Sequence, residues 1–213
     1  MVLIAPPPPL RPPNPLFQIL PAGTPLVRLY HPSSHGAGPL TFRAFGPLRR
    51  FDHHEGIPRG RGRQAAVSPT RRVYYAALTL SSCTVEVFGD LGLIEPGDWH
   101  VAAPVLTRPL RLLDLRGSGA LRAGSVAALA QMPDHRVGQA WSRHFYDDGA
   151  YGSPDGLLYA GAHNGEDALL LYERAEPALR CTPADMMRLD DPSLRSALLD
   201  IALRHNLLLA APP

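Results

Sequence analysis

From Val73 to Phe88 the chain reads VYYAALTLSSCTVEVF, and Glu86 is the one charged side chain in that stretch. A carboxylate among apolar neighbours costs free energy unless something pairs with it. Glu86 is therefore either a satisfied structural acid or a working one. The cations that could work beside it are all arginines: the chain has 21 basic residues and no lysine. Arginine makes bidentate contacts to phosphate and carboxylate that lysine cannot, although genome composition explains the same bias. Five arginines, Arg59, Arg61, Arg63, Arg71 and Arg72, crowd the Gly/Pro-rich stretch 56–72. They read as a solvated loop or as phosphate contacts. Asp52, His53, His54 and Glu55 are adjacent in FDHHEG. Neighbours in an extended segment point to opposite sides, so they do not converge on one ion, and no metal is expected. Cys83 and Cys181 form no zinc or C-x-x-C pattern and read as buried free thiols. A glycine-rich dinucleotide fingerprint, a P-loop and an H-E-x-x-H motif are all absent.

These residues need a body to position them. The 213 residues suffice for one domain with a real core, and 45% hydrophobic with 19% charged residues is ordinary globular composition. A formal charge of +2 gives no reason to expect nucleic acid or a membrane surface. The start, MVLIAPPPPLRPPNP, lacks a signal-peptide pattern, and no apolar run reaches the length of a span. A cytoplasmic protein is expected.

Residues 1–22 are expected to form a flexible proline-rich arm, 23–190 the main domain, and 191–213 a C-terminal helix packed on it. TPLVRLYHP reads as a short strand. RVYYAALT reads as a buried strand with Tyr74 and Tyr75 on opposite faces. Ser81 or Ser82 is expected to cap the next helix, which puts Glu86 in or just after its first turn. HVAAPVL and LRLLDL read as strands, GSVAALAQM and RVGQAWSRHFY as helices. In the second helix Val137, Ala140, Trp141 and Phe145 recur at core-facing spacing. DGLLYAGAHN and DALLLYER read as paired strands turning at Asn164–Gly165. Strands and helices without regular alternation predict an α+β fold.

Four pieces in this order resemble one family: LVRLYHP (26–32), FGPLRRFDHHEG (45–56), VYYAALTLSSCTVEVF (73–88), and LRLLDLRGSG…GQAWSRHFYDDG…DGLLYAGAH (110–163). Together they look like the RES domain, and the tyrosine eleven residues before the glutamate is the most telling spacing. The resemblance implies a bent, split β core surrounded by helices, similar to ADP-ribosyltransferase toxins. It implies a toxin that consumes NAD as its substrate, by glycohydrolysis, phosphorolysis or ADP-ribosyl transfer, and an Xre-type helix-turn-helix antitoxin as partner. It places the family arginines on Arg28 and on Arg50, with Arg49 as the close alternative. It places the tyrosine on Tyr75 and the glutamate on Glu86, and it adds Tyr30 and His163 to the binding wall.

Under that resemblance Glu86 would stabilise the positive charge that grows on the ribose as nicotinamide leaves. Arg28 and Arg50 would clamp the pyrophosphate, and Tyr75 would stack on the nicotinamide or ribose, or donate its hydroxyl to a phosphate. Each has a plainer alternative: Arg28 a surface strand residue, Tyr75 core, Glu86 an acid favouring its helix N-terminus. One departure matters. Where the family pattern has Ser-Arg, this chain has Gly161-Ala162, and His163 or Asn164 would have to supply the lost hydrogen bond. Ser153 lies too far along the loop to substitute. A weakened RES-fold module that binds a nucleotide or partner protein is the second reading, and an arginine-loop nucleic-acid binder the third. A homo-oligomer is left open.

Overall fold

The computed structural model describes residues 4–55 and 66–211. In chain order the strands are β1 (Phe17–Leu20), β2 (Arg28–Tyr30), β3 (Phe45–Gly46), β4 (Ala66–Val67) and β5 (Val73–Ala77), then helix α1 (Leu80–Phe88). There follow β6 (Leu93–Ile94), β7 (His100–Ala102), β8 (Val105–Leu106), β9 (Leu110–Asp114) and α2 (Ser118–Arg122). Helix α3 (His135–Asp147) precedes β10 (Gly156–Ala160) and β11 (Asp167–Tyr172). The last elements are β12 (Leu179–Arg180), β13 (Met186–Arg188), α4 (Arg195–Arg204) and β14 (Leu208–Leu209).

The β core is split, as expected for an α+β chain of this kind. Five strands run in the order β1-β9-β10-β11-β5, and three more in the order β13-β7-β2. An antiparallel bridge between Val27 and Ala77 joins the two sheets at the outer edge of β5. Strand β5 alternates strictly. Val73 and Tyr75 face one apolar cluster with Leu157, Tyr159, Phe51 and Trp141, whereas Tyr74 and Ala76 face another with Leu112, Leu158, Leu169 and Leu171. Strand β11 is buried almost throughout, so its leucine run serves both faces. Helix α1 packs beside β2 and β5 through Cys83, Val85 and Phe88, together with Leu198, Ile201 and Ala202 of α4.

Several expectations are corrected. Residues 17–20, assigned to the flexible arm, are β1, paired antiparallel with β9 in full register. The preceding segment is also tied down, with Ala5 accepting a 2.9 Å hydrogen bond from the Trp141 indole. GSVAALAQM forms a 3-10 turn at Ala127–Gln131. HVAAPVL breaks at Pro104 into β7 and β8. The α3 face toward the core is Gly138, Trp141, Ser142 and Phe145, with Val137 and Ala140 only half-buried. The C-terminal stretch is α4 followed by β14, which pairs parallel with β6. Cys83 is buried but Cys181 is only half-buried. Among the described residues no helix is long and apolar enough to cross a membrane.

Candidate active site

Thr79, rather than Ser81 or Ser82, caps α1: its Oγ1 accepts the Ser82 amide at 3.0 Å. This moves Glu86 to the last turn, two residues before the helix ends at Phe88. The plain explanation of Glu86 as an acid favoured by a helix N-terminus is therefore wrong. The partial negative charge of the C-terminal carbonyls opposes a carboxylate there. The acid that does serve the N-terminus is Glu166, which accepts from Thr79 Oγ1 at 2.7 Å and Ser81 Oγ at 2.6 Å.

Glu86 Oε1 is buried and has no hydrogen-bond partner. His163 Nδ1 lies 3.5 Å from it, and the other ring nitrogen, His163 Nε2, lies 2.9 Å from Asp90 Oδ1. Asp90 follows α1 directly, so the imidazole sits across the helix C-terminus between two carboxylates. Burial alone would lower the His163 pKa; the Asp90 hydrogen bond and Glu86 outweigh it, and the imidazole titrates above its ordinary value. Asp90 is held below its ordinary value by His163, with Arg49 and Arg50 adding to the effect. Two glycines make the space. A Cβ at Gly161 would meet Glu86 Oε1 at 2.6 Å, and one at Gly89 would meet the His163 ring at 2.7 Å.

Arg49 and Arg50 sit on a loop braced from two sides. Asp52 is fully buried and organises the loop from within. Its carboxylate takes both oxygens to Arg43 at 2.7 Å and accepts the Leu48 and Arg49 amides at 2.5 and 2.9 Å. Burial would raise its pKa, but Arg43 and those amides hold it below the ordinary range. From outside, Gln139 donates to the Arg49 carbonyl at 3.0 Å, and Arg50 donates to the Met132 carbonyl. Tyr75 donates to Asp52 Oδ1 at 2.9 Å and accepts the Phe51 amide at 3.2 Å. The phenol is thus committed to the loop, and burial together with Asp52 pushes its pKa well up. Tyr159, on the same sheet face, lies 4.9 Å from Phe51, centroid to centroid. Burial raises its pKa, with Glu86 adding to the rise and Arg50 opposing it. The helix end, the loop arginines and this sheet face therefore share one electrostatic neighbourhood.

A match to the RES domain covers residues 26–193. The chain belongs to the RES domain family. It is 34% identical over 91 residues to probable toxin y4kH of Sinorhizobium fredii (strain NBRC 101917 / NGR234), a match spanning 42% of this chain and 68% of the relative. Its fold is similar to a chain in the crystal structure of the M. tuberculosis MbcT–MbcA toxin–antitoxin complex, with TM-score 0.56 and 17% identity over 84% of this chain and 91% of that one.

Within this RES domain the other expected site residues are engaged with partners of their own. Arg28 stacks over Tyr74 at 4.3 Å, on the face of β5 opposite Tyr75. It donates to the Tyr75 and Thr41 carbonyls at 3.3 and 3.2 Å, while its Nε is buried and unpartnered. Burial lowers its pKa from the ordinary value. Burial pushes the Cys83 thiol up to about 11, with the Leu29 amide and Arg28 pulling it down and Glu86 adding to the rise. Tyr30 turns to the other sheet, stacked on His100 at 5.5 Å, with its hydroxyl 3.9 Å from Met186 Sδ. Asn164 does not reach Glu86; its Oδ1 accepts the Glu166 amide at 3.1 Å.

Asp90 and Tyr159 were not singled out from the sequence, and Asp52 was read only as part of the FDHHEG cluster. Asp90 had a readable signal, four residues after Glu86 and so one helical turn on. His53 and His54 are both buried in a structural network, His53 Nε2 lying 3.0 Å from Glu173 Oε2. Among the described residues no three His, Cys, Asp or Glu side chains group as metal ligands. Arg59, Arg61 and Arg63 lie outside the described residues. Arg71 and Arg72 are engaged with Asp147 and Glu176 at 2.9 and 2.6 Å.

Proposed function

We propose that this RES domain is the toxin of a toxin–antitoxin pair and that it cleaves the nicotinamide–ribose bond of NAD. The observation that carries the reading is Glu86. A carboxylate with a buried oxygen that makes no hydrogen bond, set against a helix C-terminus with the His163 imidazole 3.5 Å away, has a structural cost and a small structural reward. A cation developing beside it would supply a closer partner. As the bond to nicotinamide breaks, its electron pair leaves with the neutral base and positive charge grows over C1 and the ring oxygen of the ribose. Glu86, half-buried with one oxygen shielded from solvent, stabilises that charge more than it stabilises the ground state. An acceptor (water, phosphate or a protein side chain) then bonds to C1.

Arg50, with Arg49 beside it, offers cations on the loop edge for the pyrophosphate. Arg28 joins them only by releasing a carbonyl or through its free Nε. Tyr75 supports the loop through Asp52, and its ring face remains for the nicotinamide or ribose. The similarity to a probable toxin and to a toxin–antitoxin fold supports an antitoxin partner, which we take to be of the Xre helix-turn-helix type.

Nicotinamide release from NAD tests the reaction. Wild type should turn over, and Glu86→Gln should lose about 100-fold or more, the usual scale for removing one fixed transition-state charge. Phosphate-dependent product, free ADP-ribose or modified protein identifies the acceptor. No release, with no NAD binding by calorimetry, overturns the reading. A second reading, nucleotide binding without turnover, is favoured by the absence of a hydroxyl at Gly161. Tight NAD binding with no release would select it.

A further inference from the structure

We propose that His163, held by Asp90, is the residue that positions the Glu86 carboxylate. The inference rests on the proposed NAD chemistry for its consequence and on geometry for its substance. Position 161 has no side chain, and one placed there would collide with Glu86 Oε1 at 2.6 Å. The carboxylate oxygen takes that space, and His163 Nδ1 approaches the same oxygen to 3.5 Å. Gly89 leaves room for the ring: a Cβ there would lie 2.5 Å from the Val85 carbonyl oxygen and 2.7 Å from the imidazole. Gly89 thus makes space for the imidazole and Gly161 for the carboxylate it faces.

The pairing has a charge argument. An imidazolium alone beside Glu86 would cancel the negative charge that the reaction needs. Asp90 on the far nitrogen, 2.9 Å away, offsets the imidazolium charge in part, since its carboxylate is exposed and screened by solvent. His163 can therefore hand Glu86 a hydrogen bond without fully neutralising the site. It also places a cation at the C-terminus of α1, where the helix dipole favours one. The groups facing the ring are Glu86 from α1, Asp90 after it, and Arg49 and Arg50 acting on Asp90 from the loop. On its own loop Asn164 and Glu166 are turned to other partners. Closing the 3.5 Å gap to a hydrogen bond takes a small ring or carboxylate movement, of the kind expected when substrate enters.

The role is positioning, so its readouts must differ from those of general destabilisation. The His163 imidazole pKa, followed by NMR, should drop by ~0.5 unit or more in both Glu86→Gln and Asp90→Asn, because each removes a nearby negative charge. In nicotinamide release, His163→Ala should lower kcat ~10–100-fold with KM for NAD changed less than ~3-fold, as for loss of an interaction made only in the transition state. The wild-type kcat should fall on the basic side as His163 loses its proton. His163→Gln, which keeps a neutral donor, should recover part of the rate and lose that basic limb. A His163 pKa unmoved by both carboxylate substitutions overturns the proposal. So does a His163→Ala enzyme with unchanged kcat and pH profile. Coupled titration in a protein that releases no nicotinamide supports the pairing and removes the NAD reading instead.

Discussion

Gly161 is the residue at which this chain departs from the pattern it resembles, and its surroundings say what restoring a serine would do. The closest atom to an added Cβ is Glu86 Oε1, at 2.6 Å, and the next is the Glu166 carbonyl at 3.3 Å. The first is the end of a flexible side chain, so Gly161→Ser should fold, its thermal midpoint moving by no more than about 4 °C. The carboxylate, however, must leave its seat against His163. Nicotinamide release should fall ~10-fold, because an interaction aimed at the transition state loses its geometry. Adding His163→Ala should give both the serine and the carboxylate room and recover part of the loss. A Gly161→Ser protein as active as wild type would show that Glu86 works from a different seat. Glu86 is legible in the sequence because a lone charge in an apolar run needs an explanation. Asp90 is legible only through its spacing four residues past Glu86, and Asp52 only as a member of an acid–histidine cluster; the fold reveals what each one holds.

At the scale of elements, α3 and the loop at 48–52 form one unit. Gly138 brings α3 so close that an added Cβ would lie 2.5 Å from the Arg50 carbonyl oxygen, and Gln139 then reaches the Arg49 carbonyl. The obstruction is backbone, so it cannot swing away. Gly138→Ala should cost ~1–3 kcal/mol of stability, as overpacking does, and should weaken NAD binding by displacing Arg49 and Arg50. Denaturant unfolding and calorimetry measure the two effects, and an unchanged midpoint would refute the close packing. The periodic elements could be read directly: β5 alternates, α3 carries a core stripe, and β10 and β11 pair as expected. Their ends could not. Thr79 rather than Ser81 is the cap because the helix begins at Leu80, so only the Thr79 hydroxyl reaches back to the Ser82 amide; Glu166, distant in sequence, binds both hydroxyls. The hairpin turn spans 161–166 rather than the tight Asn164–Gly165 pair, since Gly165 donates back to the Gly161 carbonyl at 3.1 Å. Strand β1 hides behind the prolines because its register comes from β9, not from its own alternation.

The whole molecule carries a liability to acid that lies away from Glu86. His53 and His54 are fully buried, and burial lowers both, His54 to about 4. A histidine whose folded pKa lies below its unfolded value of about 6.5 takes its proton more readily once the chain unfolds. Its stabilising effect is complete above pH 6.5 and is lost as the pH falls toward 4, at a slope of about 1.4 kcal/mol per pH unit for one such group. Glu173 continues the trend. Burial would raise it, but His53 and Tyr146 hold it down to about 2, so the stability it supplies is lost only as the pH falls from its unfolded value toward 2. His163 has the opposite sign: its raised pKa gives stability that disappears as the pH rises, and its partial exposure keeps that contribution small. The sum predicts a thermal midpoint that falls steeply between pH 6.5 and 4, before most surface carboxylates titrate. Calorimetric scans across that range test it, with His54→Asn as control. That variant starts less stable, because the imidazole fills the space beside Gly46 and bonds the Arg43 carbonyl at 3.1 Å. It should nevertheless lose less stability per pH unit than wild type. Parallel curves for the two proteins would mean that the acid sensitivity arises elsewhere, and that His54 accepts its proton without leaving the core.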